Sequence, residues 1–393
     1  MLHLVHILEA TTGGTRRHLR DLVLGLDPAA FRVDVIVSLR RDPDFFRDLE
    51  RFRARGIGVH IVPMQRRIAP LADFLALGRI TCLLRQLRPD VVHTHSSKAG
   101  FLGRLAARRA GIRTTVHTPH AFAFEDTSAP LRGRCYRALE RMAIPWTTRL
   151  IAVSEHEREL ALALGFAAEQ VVQVANGIEV NAQLPIRSST LDLPSSVPTV
   201  TFLARLCRQK APDLFLAAIP EILAQVPAAR FRIAGEGPWR KWTEQQVARQ
   251  VWRDRVTFGV AHTEAEVAQE LAAATVLAMP SRWEGLPYTL LEALQAGTPV
   301  VVADVGGVRD VVADTTCAVL VPPNHPGMLA AGVAGLLRSP AERARLATAG
   351  RGRVKVFGVQ RMIDETAAVY RACFASGGRR KTSSICAMVR SSS

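Results

Sequence analysis

Short apolar runs alternate along the chain with longer stretches in which apolar positions recur every three or four residues, the periods of buried strands and of helices packed by one face. The first half reads LHLVHIL, a helix from about Arg16 to Leu26, VDVIV, a helix around Phe45 to Arg55, VHIV, and then strands at VVHTH, TTVHT and LIAVS. Phe45, Leu49 and Phe52 fall at i, i+4 and i+7, the spacing of a helix laid on a sheet. This βαβ order predicts a parallel sheet with helices on both faces. Residues 184–198, LPIRSSTLDLPSSVP, interrupt it: the stretch is rich in Pro and Ser and carries neither period, as a linker does. The alternation restarts with TVTFLARL, FRIAGEGPW, VTFGVA and VLAMP. A helix over Pro287–Ala296 follows, with Pro287 in its first turn and Gly297 and Pro299 as its stop. From about Ala341 the pattern is helical, and the last residues, GGRRKTSSICAMVRSSS, are Ser-rich and basic and predict disorder. Two α/β domains result, 1–183 and 199–358, with a closing helix over 359–375 and a disordered tail over 376–393.

Composition narrows the class. A chain of 393 residues, 48% hydrophobic, buries a core of the size that two domains need. A formal net charge of +16 raises affinity for any polyanion, anionic membrane surface and nucleic acid alike. No recognisable nucleic-acid motif accompanies the arginines, which argues against a specific nucleic-acid partner. Phe46, with the arginines between Arg40 and Arg55, forms a candidate membrane-contact patch. The six cysteines, Cys82, Cys135, Cys207, Cys317, Cys373 and Cys386, are scattered without a close pair, so neither a disulfide framework nor a zinc knuckle is indicated and a reducing compartment fits. LHLVHIL opens the chain without a charged leader, so no signal peptide is expected, and no apolar run is long enough to span a membrane. The expectation is a cytoplasmic protein, soluble or peripheral on the inner face of the membrane.

Ligands of parallel α/β sheets bind beyond the carboxyl ends of the strands, which makes the residues there the candidates. After the first strand stands Glu9-Ala10-Thr11-Thr12-Gly13-Gly14-Thr15, a turn into a helix whose N–H groups suit a diphosphate or an acceptor hydroxyl, followed by Arg16, Arg17 and His18. His93 and His95, two apart on one strand, share a face; with His117 and His120 on a neighbouring strand they form a candidate metal set, the chemistry of a metal-dependent hydrolase. No carboxylate stands at matching spacing, and the plain reading of His93 is a hydrogen-bonded histidine at a strand end. Ser96, Ser97, Lys98 and Gly100 open the next helix as a candidate acceptor rim. Asp42-Pro43-Asp44 has the form of an Asp-x-Asp metal motif, but it precedes a helix instead of following a nucleotide-binding strand. In the second half Arg205 and Lys210 flank a strand-end loop, a planar fork and a point charge for phosphate, while Gly235-x-Gly237 and Gly259 mark two further strand ends. The stretch Pro280–Val311 carries most: Glu284 lies just before the helix and Glu292 inside it, separated by up to about 12 Å at about 1.5 Å per residue. That is too far to share a proton and suits two ends of one extended polar ligand. The helix N-terminus between them offers free N–H groups and positive dipole to an anion.

This stretch resembles the donor-site signature of the retaining glycosyltransferases of family 4, which have the GT-B fold. The two glutamates at their spacing, the preceding Pro-Ser, Glu284-Gly285-Leu286-Pro287, and the following Ala-Gly-Thr-Pro-Val-Val with Gly306-Gly307 all agree. The Gly13-Gly14 turn, VANGIEV at Val174–Val180 with Glu179 where Asp is usual, and the Arg205 to Lys210 element with Ala204 and Ala211 where glycine is common are similar to the same family. The resemblance covers the chain to about residue 375. It implies two Rossmann-like domains with parallel sheets facing an interdomain cleft, the C-terminal one holding the nucleotide sugar and the N-terminal one the acceptor, with a helix from Arg361 to Phe374 crossing back. It implies retaining, metal-independent transfer with no cofactor, from a nucleotide-sugar donor, UDP- or GDP-linked, to a glycan or lipid-linked acceptor of polysaccharide synthesis. On that resemblance Arg205 and Lys210 meet the diphosphate, Glu284 the donor-sugar hydroxyls, Glu292 the ribose, and His117 the sugar from the other domain, with Gly13, Gly14, Gly285 and Leu286 beside the donor. A protein that keeps the fold and binds without turnover is the non-enzyme alternative.

Overall fold

The computed structural model describes residues 1–180, 197–312 and 317–389, with side chains except those of Pro43 and residues 376–389. The expected linker over 184–198 lies almost wholly outside the described residues. Two compact units divide the chain, Met1–Gly177 together with the residues from Val359 onward, and Ile178–Gly358.

The first unit runs β1 (Leu2–Leu8), α1 (Gly13–Gly25), β2 (Phe31–Val37), α2 (Phe46–Ala54), β3 (Gly58–Ile61), α3 (Pro70–Leu87), β4 (Val91–His95), α4 (Ser97–Arg109), β5 (Thr115–Thr118), α5 (Pro130–Ala143), β6 (Arg149–Ala152), α6 (Glu155–Leu164) and β7 (Val171–Gln173). Its strands form one parallel sheet in the order β3-β2-β1-β4-β5-β6-β7. Both faces of this sheet are covered, and that is why its central strands read as nearly continuous apolar runs. Leu19, Leu22 and Val23 of α1 join Leu4, Val33 and Val35 in one core, and Val5, Ile7 and Val92 meet Leu77 and Ile80 of α3 and Leu102 of α4 in the other. Phe45, Leu49 and Phe52 are buried, as their spacing predicts.

The second unit runs β8 (Thr199–Leu203), α7 (Pro212–Gln225), β9 (Arg230–Ala234), α8 (Arg240–Ala248), β10 (Val256–Gly259), α9 (Glu264–Ala273), β11 (Val276–Met279), α10 (Tyr288–Ala296), β12 (Val300–Ala303), α11 (Val308–Val312), β13 (Val319–Val321), α12 (Pro326–Arg338) and α13 (Pro340–Val354). Its parallel sheet has the order β10-β9-β8-β11-β12-β13, over a core that includes Phe202, Phe215, Ile219, Phe231, Ile233 and Val301. In each sheet the strand order reverses once, between β1 and β4 and between β8 and β11. Loops leave such a point toward opposite faces and open a crevice at the strand ends.

The last helix, α14 (Val359–Val389), packs Met362, Ile363, Ala367 and Tyr370 into the core of the first unit. Its backbone stays helical to Val389, where the Ser-rich composition predicts disorder. Among the described residues no helix is long and apolar enough to cross a membrane.

Candidate active site

In the second unit the chain leaves β8 through Ala204, Arg205 and Leu206, and this loop is clasped by the glycine turn after β9. Ala204 N donates to Ala234 O at 3.1 Å, Leu206 N to Glu236 O at 2.8 Å and Trp239 N to Leu206 O at 2.9 Å. A Cβ on Gly235 would lie 2.0 Å from Ala204 O, and one on Gly237 2.4 Å from Leu206 O, so only glycine fits. Gly235-x-Gly237, a weak nucleotide signal in the sequence, is here the brace of the Arg205 loop. Arg205 itself is half-buried and forms no hydrogen bond or ion pair among the described residues. Ala211, in a position where glycine is common, adopts φ 55° and ψ 54° and caps α7 in the left-handed region, at a cost of about 1 kcal/mol.

The same loop is tied on its other side to the segment after β11. Arg282 N donates to Gln209 O at 2.8 Å, Gln209 Nε2 to Trp283 O at 3.0 Å, and the Arg282 guanidinium to both Asp213 oxygens at 2.9 and 2.5 Å. These bonds bring Lys210 Nζ to 2.5 Å from Glu284 Oε1. Glu284 is only 4% exposed, so the ammonium beside it keeps a buried carboxylate paired. Gly306 closes the far side: at φ 48° its Cβ would stand 1.9 Å from Glu284 O. Helix α10 starts at Tyr288, with Pro287 as the residue before its first turn instead of within it, and no side chain caps it. Gly285 and Leu286 are buried between Glu284 and this N-terminus, and Glu292 lies half-buried on α10. Two cations, two carboxylates and an uncapped helix start are thus assembled at the switch of strand order.

In the first unit the turn after β1 places Gly13 at φ 56° at the start of α1, where an added Cβ would meet only open space, and Gly14 follows in the first turn. Asp42 is taken up by Arg16, at 2.7 Å from its Nη1, so the Asp-x-Asp triplet is a helix-entry contact. His117 requires a correction. In the sheet it pairs in register with Thr94, and so it faces α4 and not the strand-end crevice. It is 0% exposed, its Nδ1 lies 3.0 Å from Thr94 Oγ1, and a Cβ on Gly100 would come within 2.5 Å of its ring. An imidazole sealed in this way has no face for a sugar. His93, paired with Tyr370 Oη at 2.6 Å and Thr118 Oγ1 at 2.9 Å, is the satisfied strand histidine the sequence predicts.

What stands at the strand ends is His120, half-buried, in a turn where His120 and Ala121 have φ of 55° and 73°. Ser96, at the end of β4, has φ 60°. Consecutive non-glycine residues in the left-handed region are costly, and such strain collects at working sites. The turn is held by Glu157, whose buried carboxylate accepts from Ala121 N and Val153 N and whose pKa burial pushes up to about 7. His18 on α1, which follows the Gly13-Gly14 turn, joins His120 with ring centroids 4.5 Å apart, and His6, which no strand motif marked, pairs in register with His93. The signal for His6, a sheet face shared with His93, exists only once the register is known. The candidate metal set of four histidines is therefore broken, since His117 points away and His6 and His18 take its place.

Burial keeps this cluster neutral. It lowers His6 to about 3 and His18 to about 4, and holds His93, His95 and His120 well below the ordinary imidazole value. The unfolded chain takes up protons below about pH 6.5, and the folded unit takes them up only near its own lower values. Stability that is complete above about pH 6.5 is therefore lost as pH falls toward about 4. Hydrogen exchange at stepped pH should show β1, β4 and β5 losing protection across that interval while β8 and β11 retain theirs. Equal protection of both sheets throughout would refute this.

Comparison with known proteins decides the class. The family model for glycosyl transferases group 1 matches residues 188–353, and that for the glycosyl transferase 4-like domain matches residues 13–177. A D-inositol 3-phosphate glycosyltransferase of Frankia alni is 34% identical over 291 residues, 68% of this chain and 70% of that protein. The chain belongs to the glycosyl transferases group 1 family. The glycosyltransferase is also 31% identical over 261 residues to the UDP-Gal:alpha-D-GlcNAc-diphosphoundecaprenol alpha-1,3-galactosyltransferase of Escherichia coli, covering 62% of this chain and 65% of that protein, so it spans about two thirds of these curated relatives. The sucrose-phosphate synthase of Thermosynechococcus elongatus, at 21% identity, shares the fold with a TM-score of 0.79 over 96% of this chain and 100% of that one. Anabaena HepE in complex with UDP-glucose does so at 18% identity with a TM-score of 0.76 over 95% and 100%. The glycosyltransferase thus has the two-domain, Rossmann-like GT-B architecture, and its relatives do not favour the hydrolase reading of its histidines.

Proposed function

We propose that this glycosyltransferase moves a sugar, with retention and without a metal, from a UDP- or GDP-linked donor to a lipid-linked or cell-surface polysaccharide precursor. The observation that carries it is the Lys210–Glu284 pair at the uncapped start of α10, at 2.5 Å, with Arg205 on the same loop. Lys210 and Arg205 offer the positive potential that a departing diphosphate needs, and the helix N-terminus adds to it. In this reading Glu284 receives donor-sugar hydroxyls, Glu292 the ribose, and Gly285 and Leu286 shape the floor, while Gly13 and Gly14 leave room at the turn into α1. His120 replaces His117 as the sugar-facing histidine of the first unit. Support comes from HepE, of the same fold, which holds UDP-glucose, and from the E. coli relative, named for UDP-Gal and a diphosphoundecaprenol-linked acceptor. Titration with UDP, GDP and ADP, with EDTA present, tests it: tight binding of one diphosphate is expected, and a folded protein that binds none rules the reading out.

An anionic membrane surface fits the first unit, at a place other than the patch around Phe46. There the neighbouring Phe45, Leu49 and Phe52 turn inward and leave Phe46 alone. The larger apolar face is on α3, where Leu71, Phe74 and Leu75 are 75%, 67% and 54% exposed, next to exposed Ile68 and within reach of Arg66, Arg67 and Arg79. Apolar side chains rimmed by arginine suit an interface with anionic lipid. Sedimentation with anionic vesicles is expected to fall with added salt and to drop several-fold in Leu71→Asp/Phe74→Asp. Equal sedimentation with neutral and anionic vesicles would count against this surface.

A further inference from the structure

We propose that His18, His95 and His120 form a binding site for a borderline transition-metal ion of the Zn2+ type, and that an ion held there withdraws His120 from sugar transfer. The inhibitory half rests on the role given to His120 above; the binding half stands without it.

The ligand nitrogens of the three imidazoles all lie within 4.8 Å of one another. His95 Nδ1 is 3.2 Å from His120 Nε2, close to the spacing of about 3.3 Å that two nitrogens take about 2.0 Å from a tetrahedral ion. His18 Nε2 is buried and has no hydrogen-bond partner. Its other nitrogen, Nδ1, lies 3.1 Å from Asn176 Oδ1, and donation to that oxygen leaves the lone pair on Nε2. This is the outer hydrogen bond that orients metal-binding histidines. His95 is held likewise, with Nε2 3.1 Å from His6 Nδ1, and His120 is fixed by the Glu157 bond to Ala121 N. Three different elements, α1, β4 and the turn after β5, fix the donors, so the site needs only side-chain adjustment to close.

His120, half-buried, gives the ion a way in and leaves a fourth position to water. The second triplet, His6, His93 and His95, satisfies the same spacing but carries no site: all three are 0% exposed and both His93 nitrogens are committed to Tyr370 and Thr118. A three-imidazole set selects Zn2+, Co2+, Ni2+ or Cu2+ over Mg2+ and Mn2+. Among the described residues the cluster holds imidazoles alone, so it is proposed as a binding site and not as a hydrolytic centre.

The test uses the whole chain without a polyhistidine tag. One Co2+ per chain is expected, with visible d–d bands, displaced by Zn2+ and unaffected by excess Mg2+. Affinity should fall on the order of 100-fold in His18→Asn and in His120→Asn and remain unchanged in His262→Asn. X-ray absorption of the Zn2+-loaded wild type, which needs no variant, should count three imidazole ligands. A folded wild type that takes up no stoichiometric Co2+, an oxygen-only ligand set, or binding untouched by both substitutions would overturn the site. Zn2+ should also slow sugar transfer while nucleotide-diphosphate binding persists. Stoichiometric Zn2+ with undiminished transfer would overturn the role of His120 and leave the metal site standing.

Discussion

Lys210→Ala should lower affinity for the nucleoside diphosphate by roughly 10- to 100-fold, about 1.5–3 kcal/mol, the loss expected for one charge-assisted contact. It should also destabilise the second unit, because Glu284 is 4% exposed and loses its partner at 2.5 Å. Removing one member of a fully buried pair costs about 3–5 kcal/mol, and Lys210, with 21% of its side chain exposed, lies below that range, at about 2 kcal/mol. Lys210→Arg keeps the charge and should recover most of the stability but less of the binding, since a planar fork replaces a point donor. Calorimetric titration with the diphosphate that the wild type prefers, together with urea unfolding, separates the two effects. Unchanged diphosphate affinity in a folded Lys210→Ala would sink the assignment of this loop to the donor.

His120→Ala is expected to reduce sugar transfer by about 100-fold or more, the scale set by loss of one preorganised polar group at a reacting centre. Diphosphate affinity should stay within about twofold of wild type, because Arg205, Lys210, Glu284 and α10 all belong to the second unit. His117→Ala should do the reverse of what its sequence position implies. It removes an imidazole packed against Thr94 and Gly100 and so lowers the stability of the first unit, by about 1–3 kcal/mol, while transfer per folded molecule persists. Steady-state transfer rates normalised to folded protein decide between the two histidines. A collapse of transfer in folded His117→Ala, with His120→Ala unaffected, would reverse the assignment.

The candidate loops after β8 and β11 were legible because their chemistry is local. Glu284, Gly285, Leu286 and Glu292 lie within one loop and helix, and the turn chemistry of Pro287 and Gly297 marks that helix to within a residue. Lys210 and Arg205 were found the same way, as cations at a strand end. Their meeting with Glu284 was not legible, because it depends on bonds from Gln209 and Arg282 between loops that are 74 residues apart in the chain. The histidines show the opposite case. Four of them were picked out from two strand motifs, but alternation along one strand does not say which residue of the next strand shares its face. The pairing of His117 with Thr94, one residue out of step with His95, settles that.

The sequence by itself determined the two parallel α/β units and their strand-end candidates, because the periods of two and 3.6 and the turn residues act over a few positions. Tertiary structure alone decided that His6 and His18 join His93, His95 and His120, that His117 is sealed under α4, and that a lysine and a glutamate from separate loops form one partly buried pair. Strand register and loop-to-loop hydrogen bonds make those choices, and they couple residues whose separation in sequence carries no periodic trace.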